Sequence, residues 1–238
     1  MILAFTAIAF VEKKYDQKTC QEIDIYIHNK GNDYFLNKDE VYSLITENES
    51  GMVIGASYDK IDLRTIENRI NENVYVENAQ AYIDLNGIMT VDVFMKEPIA
   101  RILNSSGKDF YLCKNNELIP TSRLFTSRVL LVNGSYFRNR KLSQLTSDKT
   151  FVEIMNMIHY INNDPFWRAQ IAMMTVDDNG DLRLLPQVTK QEIEFGKAEN
   201  IEEKFHKLKY FYKRILPEKG WNTYARVNVE YEDQIICE

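Results

Sequence analysis

The chain is short of the residues that most often build chemistry. Histidine occurs three times, as His28, His159 and His206, and cysteine three times, as Cys20, Cys113 and Cys237. No histidines are spaced as HxH or HxxxH and there is no CxxC pair, so the sequence motifs of zinc knuckles, thioredoxin-like centres and paired-histidine metal sites are absent. An odd cysteine count closes no disulfide framework, and one Cys20–Cys237 bridge is conceivable only in an oxidising compartment. Glycine (9) and proline (5) are also few, and GxxxxGK[ST], GxGxxG and GxSxG do not occur. That removes the phosphate-cradling loops and the hydrolase elbow. Asp177-Asp178-Asn179-Gly180-Asp181 begins like a calcium loop, but an EF-hand needs Gly at the sixth position and Glu at the twelfth, where Leu182 and Val188 stand. An excess of positive charge is missing as well. The net charge of −6 opposes nucleic-acid binding, which needs clustered Lys and Arg on phosphates. The expectation is therefore no catalytic residue, no metal, no cofactor, no small-molecule substrate and no nucleic acid.

Long hydrophobic runs are lacking too. Residues 1–11 (MILAFTAIAFV) are apolar and uncharged, but a membrane-spanning helix needs about 20 apolar residues. The run also lacks the basic start of a signal peptide. It can be the tail end of a transmembrane anchor, a short anchor, or a buried first element; local pattern alone favours the buried element.

What is present suits packed sheets. Hydrophobic residues make up 45% of the chain and charged residues 27%, with 14 Tyr and 12 Phe. The 238 residues suffice for one large or two small domains. Ile23, Ile25 and Ile27 alternate with polar residues, which predicts a half-buried strand over residues 22–28. Asn37 and Glu40 have capping-box spacing ahead of Val41, Leu44 and Ile45, and a second short helix carries Leu63, Ile66 and Ile70. Ala79, Ala81, Ile83 and Leu85 then alternate up to Asn86-Gly87, read as a type I′ hairpin turn, and Met89, Val91, Val93 and Met95 return. Strand, helix, helix, strand, strand makes a small α+β unit.

Beyond Pro98 the pattern is richer in strands. Residues 109–112 and 128–132 read as short strands, and Ser147 as the cap of a helix with Phe151, Ile154, Met155, Ile158 and Ile161 inward. Residues 171–176 and 182–184 pair across the Asp177–Gly180 turn. Asn200 caps a helix with Phe205, Leu208, Tyr212 and Ile215 inward, ended by Gly220. Residues 224–236 alternate as one amphipathic terminal strand. A strand at a chain end often forms a sheet edge whose unpaired N–H and C=O groups can accept another chain.

Several segments together resemble the FtsQ/DivIB family of cell-division proteins in its Bacteroidetes-type form. They are Lys96-Glu97-Pro98-Ile99-Ala100-Arg101-Ile102, residues 109–120 (DFYLCKNNELIP), Lys204-Phe205-x-x-Leu208 through Tyr212, Gly220-Trp221-Asn222-x-Tyr224, and Tyr231-x-x-Gln234-Ile235-Ile236-Cys237. Their order and spacing carry the likeness, which covers nearly the whole chain after Cys20. The resemblance implies an α+β fold: a partial transmembrane anchor and linker over residues 1–20, a POTRA domain over 21–98, and a mixed β-sheet domain with flanking helices over 99–238. It reverses the ranking for residues 1–11 and makes an anchor remnant the expected reading. It implies a single-pass protein of the cell inner membrane, enriched at the division site, with most of its chain in the periplasm. It further implies a non-enzymatic scaffold that recruits FtsB/FtsL-type partners by strand addition at its last strand. By position the contacts fall on Tyr231, Glu232, Asp233, Gln234, Ile235 and Ile236, with Lys204 on the neighbouring helix. Pro98 and Arg101 match the interdomain signature and are expected to be structural. Two other classes stand beside this one: a POTRA-type assembly chaperone of the cell envelope, which requires tandem POTRA units, and an envelope enzyme with its site between the two units.

Overall fold

The structure, a computed structural model, describes residues 18–29, 35–46, 53–104, 109–138, 140, 145 and 147–238. The apolar run at residues 1–11 lies outside them. The chain divides into two compact units. Unit 1 runs to Glu97 and takes in Ser122–Thr126; unit 2 holds Pro98–Thr121 and Ser127–Glu238. The break falls just before Pro98, which opens a strand of unit 2.

In unit 1, strand β1 (Glu22–His28), helices α1 (Lys38–Thr46) and α2 (Leu63–Asn71), and strands β2 (Val76–Ile83) and β3 (Ile88–Met95) follow the expected order. The sheet order is β1-β3-β2, with β1 parallel to β3 and β2 antiparallel to it. The capping box at α1 is formed in both directions: the Glu40 N–H donates to Asn37 Oδ1 at 2.8 Å, and the Asn37 N–H to Glu40 Oε2 at 2.9 Å. At the other end of α1, Arg69 of α2 donates to the Leu44 and Ile45 carbonyls, closing acceptors that the helix leaves open. Val41, Ile45, Ile66 and Ile70 from the helices and Ile25, Ala79, Met89, Val91 and Val93 from the sheet are buried.

The β2–β3 turn departs from expectation. A type I′ turn needs positive φ at both central residues, but only Gly87 has it, at +93°. The reason is Asp84, whose carboxylate Oδ1 accepts the N–H groups of Asn86 and Ile88 and so winds a longer turn. Asp177 does the same for Asn179 and Asp181, with Gly180 at φ +83°. The carboxylate in the calcium-loop-like segment is thus spent on its own backbone. The Ile88 N–H is the main cause that holds the Asp84 carboxyl below its usual pKa. The folded group therefore binds its proton less readily than the unfolded one. Its contribution is complete above the ordinary carboxylate pKa and is lost as pH falls through the lowered one. Asp84→Ala should lower the urea midpoint of unit 1 at neutral pH, and its difference from the unsubstituted chain should shrink as the pH falls below the ordinary carboxylate range.

Unit 2 is built on one nine-stranded mixed sheet, ordered β12-β11-β10-β9-β8-β7-β4-β5-β6. Its strands are β4 (Pro98–Ile102), β5 (Phe110–Cys113), β6 (Leu118–Pro120), β7 (Leu130–Asn133), β8 (Ile171–Val176), β9 (Leu182–Pro186), β10 (Glu192–Gly196), β11 (Arg226–Asn228) and β12 (Ile236–Cys237). Helix α3 (Lys149–Asn163) connects the parallel pair β7 and β8 and buries Phe151, Ile154, Met157, Ile158 and Ile161. Its cap is Asp148, one residue beyond the expected Ser147, with its carboxylate on the Thr150 N–H at 2.9 Å. Helix α4 (Pro165–Gln170) is capped by Asp164 and starts on Pro165, whose missing N–H is no loss there. Arg101 is held by Asp109 across the β4–β5 hairpin, Nη2 to Oδ2 at 2.7 Å, so it fixes the start of the unit 2 sheet.

Helix α5 (Ile201–Tyr210) continues through a π-helical turn (Phe211–Ile215) into α6 (Leu216–Lys219). Pro217 accounts for the widening. It has no N–H and its ring would collide with the carbonyl four residues earlier, so the helix opens by one residue to pass it. Asn200, at the cap position of α5, has φ +50° and its side chain makes no capping bond. The π turn still presents Phe211 and Tyr212 inward. Trp167 packs against Phe205 and Tyr212, and Phe205 against Phe195 and Tyr160. That aromatic block lies beneath the part of the sheet that leads to the chain end.

Candidate partner-binding edge

The terminal segment is not one strand. β11 pairs parallel with β10, and the ladder continues one residue further, through the Val229 N–H to the Glu194 carbonyl. Asn228 then redirects the chain. Its amide donates to Glu194 Oε2 at 2.9 Å, and its Oδ1 takes the Glu230 N–H at 2.8 Å. Asp233, at φ +54°, completes the reversal, a conformation that Asp tolerates better than most residues. β12 returns antiparallel, with Val227 opposite Cys237 and Asn228 opposite Ile236.

This reversal decides where the anticipated residues sit. Tyr231, Glu232, Asp233 and Gln234 occupy the exposed loop. Strict alternation would have turned Tyr231 inward beside Val227 and Val229, but the reversal leaves its ring 50% exposed. Ile235 packs partly against the core and Ile236 faces out.

Two cations hold the loop and β12. Lys207 of α5 donates to the Tyr231 carbonyl at 2.6 Å and pairs with Glu203. Arg226 bonds the Glu238 carboxylate and lies 3.2 Å from Glu194. Arg226 is one of the charged residues expected along the terminal strand, whereas Lys207 does not stand out in the sequence. Lys207 lies three residues after Lys204, on the same side of the helix, which is the one local clue to it. Arg226→Ala should raise hydrogen exchange at the Ile236 and Glu238 amides by about tenfold, because β12 loses its side-chain clamp.

Lys204 is different. It is 6% exposed, and its ammonium donates to the Phe195 and Lys197 carbonyls, both at 2.9 Å. Burial is the main cause that lowers its pKa. The ammonium cannot reach a partner from there. It ties α5 to the end of β10, where Gly196 turns at φ +68°, and so supports the edge from beneath.

The edge itself follows from backbone phase. Arg226 and Glu238 exchange both N–H···O bonds at 3.0 Å. Alternation along an antiparallel pair then turns the N–H and C=O of Cys237 and Ile235 away from β11. Among the described residues no strand lies beyond β12. At the opposite margin β6 ends on Pro120, which has no N–H to offer. All three cysteines are free thiols, Cys20 and Cys113 buried and Cys237 half-buried.

A family model described as FtsQ/DivIB, C-terminal related, matches residues 97–238, and a POTRA-like domain model matches residues 18–94. No curated protein matches the chain.

Proposed function

Because the chain belongs to the FtsQ/DivIB family, we propose that it is a non-enzymatic divisome scaffold that recruits an FtsB/FtsL-type partner by strand addition at β12. The family ties the protein to cell division, and its first domain is POTRA-like. The observation that supports strand addition is the phase of β12, with the backbone groups of Ile235 and Cys237 directed outward beside the exposed Tyr231 ring. An added strand would complete those hydrogen bonds, and Tyr231 would cover part of its apolar side. Lys204 enters as a support of the edge, while Glu232, Asp233 and Gln234 border it. In this reading the protein sits at the inner membrane of the division site through an N-terminal helix, with both units in the periplasm. Among the described residues no helix is long and apolar enough to cross a membrane.

The test is a titration of the chain with the soluble part of an FtsB-type partner. Tyr231→Lys should weaken binding by about tenfold or more, as expected when a central aromatic anchor is lost. Gln234→Pro should weaken it less, through the geometry of the turn into β12. Unchanged binding by both folded variants would refute the site.

A further inference from the structure

We propose that unit 1 carries a strand-accepting edge of its own, the outer side of β1, suited to an extended amphipathic segment of a partner protein with lysine or arginine at alternate positions. The two margins of the unit 1 sheet differ, and the hydrogen-bond phase shows how. The Asp84 N–H bonds the Ile88 carbonyl, so even-numbered residues of β3 face β2 and odd-numbered ones face β1. On β2 the groups of Ala79, Ala81 and Ile83 then point outward. There the Ala81 N–H is already taken by Glu67 Oε1 of helix α2 at 2.7 Å. A helix carboxylate occupying an edge donor is a guard against pairing.

Among the described residues no side chain is bonded to the outer N–H groups of β1; Lys38 of α1 reaches only over the Tyr26 ring, 5.9 Å from its centroid. With Glu22 opposite Ile88 in a parallel pair, the even residues of β1 bond to β3. The N–H and C=O groups of Ile23, Ile25 and Ile27 face outward, and among the described residues none has a partner. Upstream of β1 the same side of the chain already carries one isolated antiparallel bridge. There Cys20 exchanges bonds with Ala56 and Gly55 at 2.9 and 2.7 Å, and Thr19 bridges Ser57 in antiparallel sense. The pairing stops there because the Val53–Ala56 turn, with Gly55 at φ +88°, leads the chain away. An incoming antiparallel strand would continue where residues 55–57 leave off.

Charge and shape choose the occupant. Glu22, Asp24 and Tyr26 point to the face opposite the helices, and neither carboxylate is in an ion pair among the described residues. Asp92 adds a third carboxylate on that face, paired with His28 at 2.6 Å. Opposite charges across neighbouring strands stabilise pairing, so a basic row fits here. Ile23 and Ile27 are half-buried on the other face and would be covered by apolar side chains of the same segment. This site does not depend on the reading of β12.

The test is amide exchange by NMR on the full chain, with an acetylated ten-residue peptide alternating lysine and valine as probe. In the free protein the Ile23, Ile25 and Ile27 amides should exchange about 100-fold faster than Asp24 and Tyr26, which bond to β3. The peptide should protect those three. A glutamate–valine peptide should not, and Glu22→Lys combined with Asp24→Lys should reverse that preference. Glu67→Ala should leave protection at β1 unchanged. The proposal is overturned if the three amides are already slow in the free protein, if the peptide protects Ala79 and Ala81 instead, if charge reversal leaves the preference as it was, or if nothing is protected at millimolar peptide.

Discussion

Trp167→Ala should destabilise unit 2 by about 3–5 kcal/mol, the range for removing a buried large aromatic. Trp167 is 1% exposed and its ring centroid lies 4.8 Å from that of Phe205 and 6.1 Å from that of Tyr212. Those neighbours come from α5 and the π turn, so the hole would open where the helix packs on the sheet. No single side-chain shift refills it, because Phe205 is also held by Phe195 and Tyr160. Urea unfolding followed by near-ultraviolet circular dichroism measures the loss. A cost below about 1 kcal/mol would mean that this aromatic block does not carry the packing assigned to it. The neighbouring Trp167→Phe should recover part of the loss, since most of the apolar volume returns.

Gly134→Ala should be as damaging, by about 2–5 kcal/mol when overpacking and a strained φ are combined. Gly134 follows β7 with φ +129°, a conformation that L side chains rarely adopt. An added methyl would also lie 1.8 Å from the Val176 carbonyl oxygen, which is backbone of the adjacent β8 and cannot swing aside. The β7–β8 pair must separate, and it stands mid-sheet between the chain-end strands and the β4–β6 margin. The readout is the midpoint of unit 2 by denaturant. Gly55→Ala, where the same methyl meets nothing within 4 Å, separates steric collision from positive φ alone. It should cost about 1 kcal/mol, the left-handed penalty by itself.

The contrast between legible and illegible parts is physical. Unit 1 could be read because its signals are local: a capping box four residues long, two short amphipathic helices, and a strand period of two. The β2–β3 hairpin was visible, but its turn type was not. Asn-Gly alone points to type I′, whereas the Asp84 carboxylate two residues earlier competes for the same N–H groups and wins. Gly220 at the end of its helix is likewise a short-range signal. The order of the unit 2 sheet was not legible, since β4 lies between β5 and β7 and only long-range pairing sets that.

The chain end shows the limit most clearly. Residues 224–236 alternate as a single strand would, and local pattern holds no sign of the break after Val229. The break comes from Asn228 binding Glu194, a partner 34 residues away. It turns Tyr231 outward and makes β12 a two-residue edge. Lys204 looks like a surface cation from its charged surroundings on α5, yet the Phe195 and Lys197 carbonyls draw it inside. Arg226 and Lys207, which hold the edge, gain their roles only from that same long-range geometry.

The central claim, strand addition at β12, is tested most directly by amide exchange at the chain end with and without the soluble part of an FtsB-type partner. The account predicts that the Ile235 and Cys237 amides exchange fast in the free chain and become protected by about 100-fold on binding, while Ile236 and Glu238 are protected in both states. Binding that leaves the Ile235 and Cys237 amides as fast as in the free chain would contradict it.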